Sequence, residues 1–275
     1  MAGRKEQFII VRGGGDIATG TIHKLHRCGY PVLILETGFP SAIRRQVAFS
    51  EAVYDGSSEV EGVNCIRAKD AEEAKAILAG GDVALLVDPE AEVLKQVKPW
   101  ALVDGILAKK NLGTNRGMAE KTIGLGPGFC AGKDVDLVIE TMRGHNLGRI
   151  IGSGCALANT GVPGIIGGFG KERVIHSPAR GILTTRCRIG DKVKKGQVIA
   201  VVVTGHGEVE VFASLDGLVR GMIRSGYPVE EGLKIADIDP REGEFENCFT
   251  ISDKARCIAG AVLEGLLYLE EKQGR

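Results

Sequence analysis

Three residues of the chain have side chains that could take part in chemistry, and each lies near a predicted strand end or a glycine-rich segment. Lys110 lies in the polar stretch AKKNLGT and could hold an anion together with Lys109 and Asn111. His145 could donate a proton, and Cys155 could accept sulfur or selenium. Structural interpretations compete, because adjacent lysines often lie on a solvated face and a cysteine without basic neighbours is usually inert. The sequence leaves open whether any reaction is catalysed.

An acid, a guanidinium and an imidazole follow the predicted strand at 135–139. They are Glu140, Arg143 and His145, in the stretch DLVIETMRGHNLGR. Open α/β sheets bind ligands beyond the carboxyl ends of their strands, so this is the best polar constellation in the chain. We expect Arg143 to contribute to cofactor binding. A histidine beside a glycine also has a structural interpretation.

Residues 8–36 predict a strand, a glycine turn, a helix and a second strand. The turn contains Gly13, Gly14 and Gly15, and Glu36 ends the second strand. A Gly-x-Gly-x-x-Ala turn followed about 20 residues later by an acid is typical of dinucleotide-binding folds, in which the acid holds the ribose. These four residues are therefore candidate cofactor-binding residues. Alternatively, the glycines only allow the helix to pack closely on the strand.

Asp16 makes the ligand less certain than the fold. It lies at the N-terminus of the predicted helix, where a pyrophosphate would bind. A carboxylate there suits the helix dipole but repels a phosphate. Arg12, Lys109 or Lys110 could offset this charge. We keep Asp16 as a candidate binding residue and expect NAD and NADP to bind weakly.

A second glycine-rich segment, TIGLGPGF, follows the AKKNLGT stretch. Gly124, Gly126 and Gly128 are spaced by two, so their backbone amides could converge on an anion. We take Gly126 and Gly128 as candidate binding residues. The segment is not a nucleotide-hydrolysis loop of the Walker type, because Lys133 is followed by Asp134 instead of serine or threonine.

The stretch from 180 to 236 contains an internal repeat with glycines at one constant offset. Gly181, Gly190 and Gly196 recur as Gly217, Gly226 and Gly232. Each half predicts strand, turn and strand, and the pair resembles the biotinyl and lipoyl carrier domain, a small flattened barrel. In those carriers a modified lysine stands on the hairpin between the halves, but His206 takes that place here. We therefore expect neither biotin nor lipoate, and a module that docks or rigidifies a partner surface.

Composition excludes several classes of function. The 35 basic and 35 acidic residues give a net charge of zero, and aromatic residues make up 5% of the chain. These values argue against nucleic-acid partners. No stretch reaches the ~20 apolar residues of a membrane span, so we expect a cytoplasmic protein. The seven cysteines never form Cys-x-x-Cys, which argues against a disulfide framework or a metal site.

These signals predict an α/β fold class with two domains. We expect a Rossmann-like α/β domain at 1–150 and a glycine-rich connection at 151–178. A small all-β domain follows at 179–242, a barrel-sandwich hybrid of the biotinyl/lipoyl-like type. The C-terminal helix, within 243–275, is expected to pack on the first domain.

The motifs in their order resemble one known family. RGGGDIATG, AFSEAVYDG, AKKNLGT, GLGPGF, DLVIETMRGHNLGR, NTGVPG, DIDPR and SDKA occur in sequence along nearly the whole chain. Together they resemble the YqeB-type accessory family of selenium-dependent molybdenum hydroxylases. The resemblance carries over no catalytic residue.

The resemblance implies an accessory or maturation protein for a xanthine-dehydrogenase-like enzyme. Its ligand would be a molybdopterin-type cofactor, a nucleotide or another phosphate-bearing intermediate. Its partners would be the molybdenum hydroxylase apoenzyme or other maturation factors, and a homo-oligomer is possible. The residues alone support an alternative, an NAD(P)-dependent oxidoreductase that uses Glu36 on the adenosine ribose and acts on a small cytoplasmic substrate.

Overall fold

The computed structural model describes residues 6–161 and 164–273, without the side chain of residue 273. The chain divides into two compact units. Unit 1 comprises Met1–Pro40, Ala48–Thr160 and Ile251–Arg275, and unit 2 comprises Ser41–Val47 and Gly161–Thr250.

Unit 1 is built on a nine-stranded sheet and a separate two-stranded sheet. The strands are β1 (Ile9–Arg12), β2 (Val32–Glu36), β3 (Ser57–Val60), β4 (Val63–Arg67), β5 (Val83–Val87), β6 (Ala101–Asp104), β7 (Lys121–Leu125), β8 (Cys130–Ala131), β9 (Leu137–Ile139), β10 (Ile150–Ile151) and β11 (Gly154–Cys155). The order across the large sheet is β10-β9-β7-β6-β1-β2-β5-β4-β3. The strands from β9 to β4 are parallel, and β10 and β3 are antiparallel at the two edges.

The predicted Rossmann-like fold is wrong. In a Rossmann sheet the third parallel strand lies beside the second, whereas here β5 lies between β2 and β4. The connections from β5 to β6 and from β6 to β7 contain the short 3₁₀-helices Glu92–Lys95 and Arg116–Met118 instead of α-helices. The pattern in residues 8–36 encodes one βαβ unit, but strand order depends on later crossovers that this pattern does not contain.

Four α-helices accompany the sheet in the described residues. They are α1 (Asp16–Arg27), α2 (Ala52–Asp55), α3 (Ala71–Gly80) and α4 (Asp253–Gln273). Helices α1 and α4 touch at Gly20, where an added Cβ would lie 2.8 Å from the Cβ of Ala255. Farther along α4, an added Cβ on Gly265 would lie 3.2 Å from β9 and 3.3 Å from β7. Small residues therefore bring the last helix of the chain onto α1 and onto the sheet.

A second layer covers the opposite face of the sheet. Helix α3 and the 3₁₀-helix Glu92–Lys95 pack over Ile10, Leu33 and Leu102. Successive residues of a strand point to opposite faces, so these residues face away from the side chains that meet α4. The sheet therefore has a buried core on both faces.

The two-stranded sheet of unit 1 holds a disulfide. Cys130 of β8 pairs with Cys155 of β11, and their sulfurs are bonded. The spacing of the cysteines did not indicate this bond, because cysteines 25 residues apart become neighbours only when the two short strands pair.

Unit 2 contains two four-stranded antiparallel sheets. Its strands are β12 (Val174–His176), β13 (Gly181–Thr185), β14 (Lys192–Val193), β15 (Val198–Thr204), β16 (Gly207–Phe212), β17 (Gly217–Met222), β18 (Pro228–Val229) and β19 (Lys234–Asp239). The orders are β12-β19-β17-β14 and β16-β15-β13-β18. The predicted barrel-sandwich hybrid is therefore wrong, because two separate sheets share one apolar core that includes Leu183, Ile199, Val219 and Ile238.

The internal repeat corresponds to two sets of three strands. Strands β13, β14 and β15 recur as β17, β18 and β19. The short strand of each set pairs with the other set, because β14 pairs with β17 and β18 pairs with β13. The two copies therefore interlock. His206 lies exposed in the turn between β15 and β16.

Helices that could cross a bilayer are absent from the described ranges, since none of them is long and apolar enough.

Candidate functional site

The glycine turn after β1 packs against its own chain at two of its three positions. A Cβ added to Gly13 would lie 3.0 Å from backbone atoms of Ile106, and one on Gly14 would lie 3.0 Å from the backbone nitrogen of Ser50. Gly13 also has a φ of 89°, which few other residues adopt. An added Cβ on Gly15 would meet no atom within 4 Å. Close packing therefore explains two of these glycines, and Gly15 borders open space.

Glu36 closes this turn. One carboxylate oxygen accepts the N–H of Gly14 at 2.7 Å, and the other accepts the N–H of Thr37 at 2.7 Å. Burial raises the pKa of Glu36, although these two N–H groups favour its ionised form. Both oxygens are engaged by the backbone, so the structure gives Glu36 a structural role at the position where a ribose contact was expected.

Arg12 belongs to a buried polar network. Its guanidinium donates to the Thr114 hydroxyl at 2.6 Å and to the Pro89 carbonyl at 2.7 Å, and it lies 3.7 Å from the Asp104 carboxylate. Thr114 donates to the same carboxylate at 2.6 Å. Burial raises the pKa of Asp104. Arg12 therefore ties the end of β1 to the loops after β5 and β6, and its charge is used there instead of beside Asp16.

The AKKNLGT stretch packs on the second glycine-rich segment. An added Cβ on Gly128 would lie 2.6 Å from the Cα of Lys110. Asn111 closes its own loop, because its side chain donates to the Thr114 carbonyl and accepts the Thr114 N–H, both at 2.8 Å. Lys109 and Lys110 are exposed. The lysines are accessible to a ligand, whereas Asn111 has a structural role.

The other glycines of the second segment also serve close packing. A Cβ on Gly124 would overlap the ring of Phe129, and one on Gly126 would overlap the hydroxyl of Thr141. The N–H of Gly126 donates to the Ile139 carbonyl at 2.8 Å. This amide is therefore occupied and does not point at an anion.

The polar residues after β9 have different surroundings. Glu140 is 2% exposed, and its carboxylate accepts three backbone N–H groups. The donors are Thr141, Met142 and Leu157. Arg143 pairs with both oxygens of Asp253 at the start of α4, at 2.8 and 2.7 Å. His145 is exposed. Glu140 and Arg143 therefore anchor loops, and His145 is accessible.

Lys254 is a candidate that the sequence analysis missed. It is half-buried, and burial lowers its pKa, with a further lowering by Arg143. Asp16, Glu140 and Asp253 act in the opposite direction. The positive charge of Lys254 therefore attracts the Asp16 carboxylate, although Lys254 belongs to α4 and lies far along the chain from the glycine turn. Two cations and three carboxylates lie near one another here, so the local charge does not favour an anion.

Cys155 carries no free thiol in this structure, because its sulfur is bonded to Cys130. A thiolate is needed to accept sulfur or selenium. The expectation of an acceptor thiol at Cys155 is therefore corrected.

A basic cleft of about 250 Å³ lies between α1 and α4 in unit 1. We use this name for the space lined by Gly20, His23, Lys24, Arg27, Cys28, Ile251 and Arg256. Arg256 pairs with both oxygens of Glu61, at 2.6 and 2.8 Å. In the described part of the chain, no carboxylate pairs with Lys24 or Arg27. Three cations and one carboxylate thus leave the cleft with an excess of two positive charges.

His23 lines the basic cleft, and its pKa responds to the charges there. Its Nε2 lies 3.4 Å from the Glu61 carbonyl oxygen. Burial lowers the pKa of His23, and the neighbouring Arg27 and Arg256 lower it further. An anion in the cleft would favour the protonated ring and raise this pKa.

The cleft could not be predicted from the sequence because Lys24 and Arg27 lie on the polar stripe of α1, which is typical of a solvated face. One signal was present in the sequence. Lys254 and Arg256 lie in the first turn of α4, where the helix dipole disfavours cations, so a specific partner or ligand is expected there.

Several solved structures resemble the chain only weakly. They include the ectoine utilization protein EutE (DoeB) of Ruegeria pomeroyi in its apo form (TM-score 0.27, 12% identity, 84% of this chain and 85% of that chain). An aspartoacylase family protein of Mesorhizobium loti gives a TM-score of 0.29 at 14% identity over 84% of each chain. A succinylglutamate desuccinylase/aspartoacylase from Rhodobacter sphaeroides gives 0.28 at 13% identity, over 84% of this chain and 85% of that chain. At such TM-scores we carry no activity over to this chain.

The strand orders of both units correct the Rossmann and biotinyl/lipoyl terms that were expected from the sequence.

One curated protein is similar to nearly the whole chain. No protein-family model matches. The chain is 49% identical over 263 residues to YqeB of Escherichia coli (strain K12), an uncharacterized protein, and the match covers 96% of this chain and 48% of YqeB. The chain therefore has a YqeB homologue and spans about half of that relative's length.

Proposed function

We propose that the protein binds a small phosphate-bearing molecule in the basic cleft and acts as a binding or accessory protein. The observation that supports this proposal is the excess of positive charge in a cleft of about 250 Å³. A phosphate carries up to two negative charges, so the excess positive charge of the cleft would attract it. Lys24 and Arg27 would supply most of the affinity, because Glu61 already pairs with Arg256.

The surroundings of the glycine turn favour this proposal over a dinucleotide-dependent oxidoreductase. Gly13 and Gly14 pack on the chain, and Glu36 accepts two backbone N–H groups. A dinucleotide would have to displace these contacts. The oxidoreductase alternative stays a prediction, and tight NAD binding would support it.

The sequence resemblance implies a more specific role than this proposal. Maturation of a selenium-dependent molybdenum hydroxylase stays a prediction, as do its molybdopterin-type cofactor and its apoenzyme partner. Mass spectrometry of small molecules and selenium released from gently purified protein would test these predictions directly.

Titration calorimetry with inorganic pyrophosphate tests the proposed cleft. We expect saturable binding that weakens as ionic strength rises, because exposed charges are screened. Removing one cation about 5 Å from the anion, in Lys24→Gln or Arg27→Gln, should weaken binding about fivefold or more. Arg149→Gln is the matched control, because Arg149 is exposed and lies outside the cleft lining.

A second readout uses His23. Pyrophosphate should raise its pKa in an NMR titration of the wild type, and the shift should be smaller in the Lys24→Gln, Arg27→Gln double variant. Equal pyrophosphate affinity in the wild type and the double variant would refute the proposal. An unchanged pKa of His23 at saturating pyrophosphate would place the anion elsewhere.

A further inference from the structure

A cavity of about 560 Å³ opens on the face of the unit 1 sheet that α3 covers. Its walls are mainly apolar and include Phe8, Tyr30, Leu33, Leu78, Val93 and Val97. Ligand sites in proteins are typically concave, mostly apolar and about 300 to 1,000 Å³ in volume. The cavity therefore has the size and the lining of a small-molecule site.

The cavity has two structural causes. The connection from β5 to β6 contains only the 3₁₀-helix Glu92–Lys95, so no long helix covers the sheet beside α3. Helix α3 itself presents alanines to the gap, at Ala71, Ala74 and Ala79. Larger side chains at these positions would fill the space. The chain thus leaves room at a place where α/β proteins usually place side chains.

The polar groups of the cavity carry little net charge. His26 and Asp82 lie within electrostatic reach of each other, and burial lowers the pKa of His26, which favours its neutral ring. Lys75 pairs with Glu72 at 2.6 Å. An uncharged ligand would lose no ion pair here, whereas an anion would meet the Asp82 carboxylate. Hydrogen-bonding groups are available from His26.

The geometry points to a binding site for a small, uncharged and mainly apolar molecule that carries one hydrogen-bonding group, which would lie near His26. The site lies on the opposite face of the sheet from α4, which forms one wall of the basic cleft, and does not depend on the proposed function.

Fluorescence titration with N-phenyl-1-naphthylamine tests this site, because the probe is uncharged, aromatic and has one N–H. We expect saturable binding at one site per chain. The related probe 8-anilinonaphthalene-1-sulfonate adds a sulfonate and should bind at least tenfold more weakly. Equal or tighter binding of the sulfonate would overturn the assigned ligand class.

Two tryptophan variants of α3 locate the site. Ala79→Trp fills the cavity from its exposed rim and should weaken binding of the uncharged probe at least tenfold. Ala76→Trp is the matched control, because Ala76 is exposed on the same helix and does not line the cavity. Circular dichroism should show both variants folded. Unchanged binding in Ala79→Trp, or equal loss in both variants, would overturn the site.

The oligomeric state shows whether a small ligand or a second copy of the chain fills the cavity. We expect light scattering to give one mass with and without the probe, and the same mass for Ala79→Trp. A dimer that dissociates when the probe binds, or in Ala79→Trp, would show that a second copy fills the cavity and would overturn the proposal.

Discussion

The contact between α1 and α4 depends on Gly20, and replacing this glycine by alanine should destabilise the protein. The added Cβ would lie 2.8 Å from the Cβ of Ala255 and 3.0 Å from its carbonyl oxygen. Carbon atoms in good contact are about 3.5 to 4.0 Å apart. The two helices would therefore have to separate by roughly 1 Å at this point. Gly20 and Arg256 both line the basic cleft, so anion affinity should change as well.

Two effects of opposite sign set the magnitude of this change. Alanine in a helix interior is more favourable than glycine by about 1 kcal/mol. Forcing a methyl group into a filled contact costs about 1 to 3 kcal/mol. We therefore expect Gly20→Ala to lower the free energy of unfolding by up to about 2 kcal/mol. Ala255→Gly in the same chain removes the overlap with the Ala255 Cβ but leaves the contact with its carbonyl oxygen at 3.0 Å, so the two substitutions should be coupled by about 0.5 to 1 kcal/mol.

Gly260 provides the matched control on α4. A Cβ there would meet only the Nζ of Lys24, at 3.9 Å, which is ordinary contact with the end of a flexible side chain. Gly260→Ala should therefore stabilise by about 1 kcal/mol. Urea denaturation followed by far-UV circular dichroism measures both variants. If Gly20→Ala stabilises as much as Gly260→Ala, the helices do not touch at Gly20 and the reasoning is refuted.

Three further predictions concern groups elsewhere in the two units. Asp237→Ala leaves Arg173 buried without its partner at 3.0 Å, and should cost about 3 to 5 kcal/mol in chemical denaturation. Cys155→Ser removes the bond to Cys130, which closes a separation of 25 residues, and should cost up to about 3 kcal/mol under oxidising conditions and nothing in excess thiol. The pKa of Lys254 is lowered in the folded state, so the unfolded state binds more protons between this lowered pKa and the ordinary pKa of lysine. The free energy of unfolding should therefore rise with pH in this range, and Lys254→Gln should remove this part of the slope.

Local patterns predicted several elements well. The two strands predicted in residues 8–36 correspond to β1 and β2, the helix predicted between them corresponds to α1, and the predicted C-terminal helix corresponds to α4. These signals depend on residues that are close in sequence, and the strands are buried on both faces. Elements of this kind can be predicted because the local pattern and the tertiary environment agree.

The order of the strands could not be predicted in the same way. One glycine turn with a following helix and acid is compatible with several sheets, and β5 takes the place beside β2 that a Rossmann fold gives to the third strand. Glycine spacing was also ambiguous. Gly13, Gly14 and Gly126 are explained by neighbouring atoms of the chain itself, and these neighbours come from distant parts of the sequence. A glycine needed for close packing and a glycine needed for a ligand look the same in a sequence.

The candidate site was missed because its residues come from elements far apart in the chain. Lys24 and Arg27 belong to the first helix, whereas Arg256 belongs to the last one. Contacts between such distant segments depend on the strand order and on the small residues at the helix crossing. The signal in the last helix was its basic first turn, which conflicts with the helix dipole. Conflicts of this kind are expected at functional or strained sites.

The cations of the basic cleft differ in whether a carboxylate in the described residues pairs with them. Arg256 lies in an unfavourable first turn, but its bidentate pair with Glu61 offsets this cost and fixes the turn between β3 and β4 to α4. Lys24 and Arg27 lie in the last turn of α1, where the dipole favours them, and no carboxylate in the described residues neutralises them. A bound anion would therefore gain mostly from Lys24 and Arg27 while the Arg256 pair keeps the walls in place. This division of roles explains why a rigid cleft can hold unpaired positive charge: the contacts that set its shape are separate from the charges that would meet the ligand.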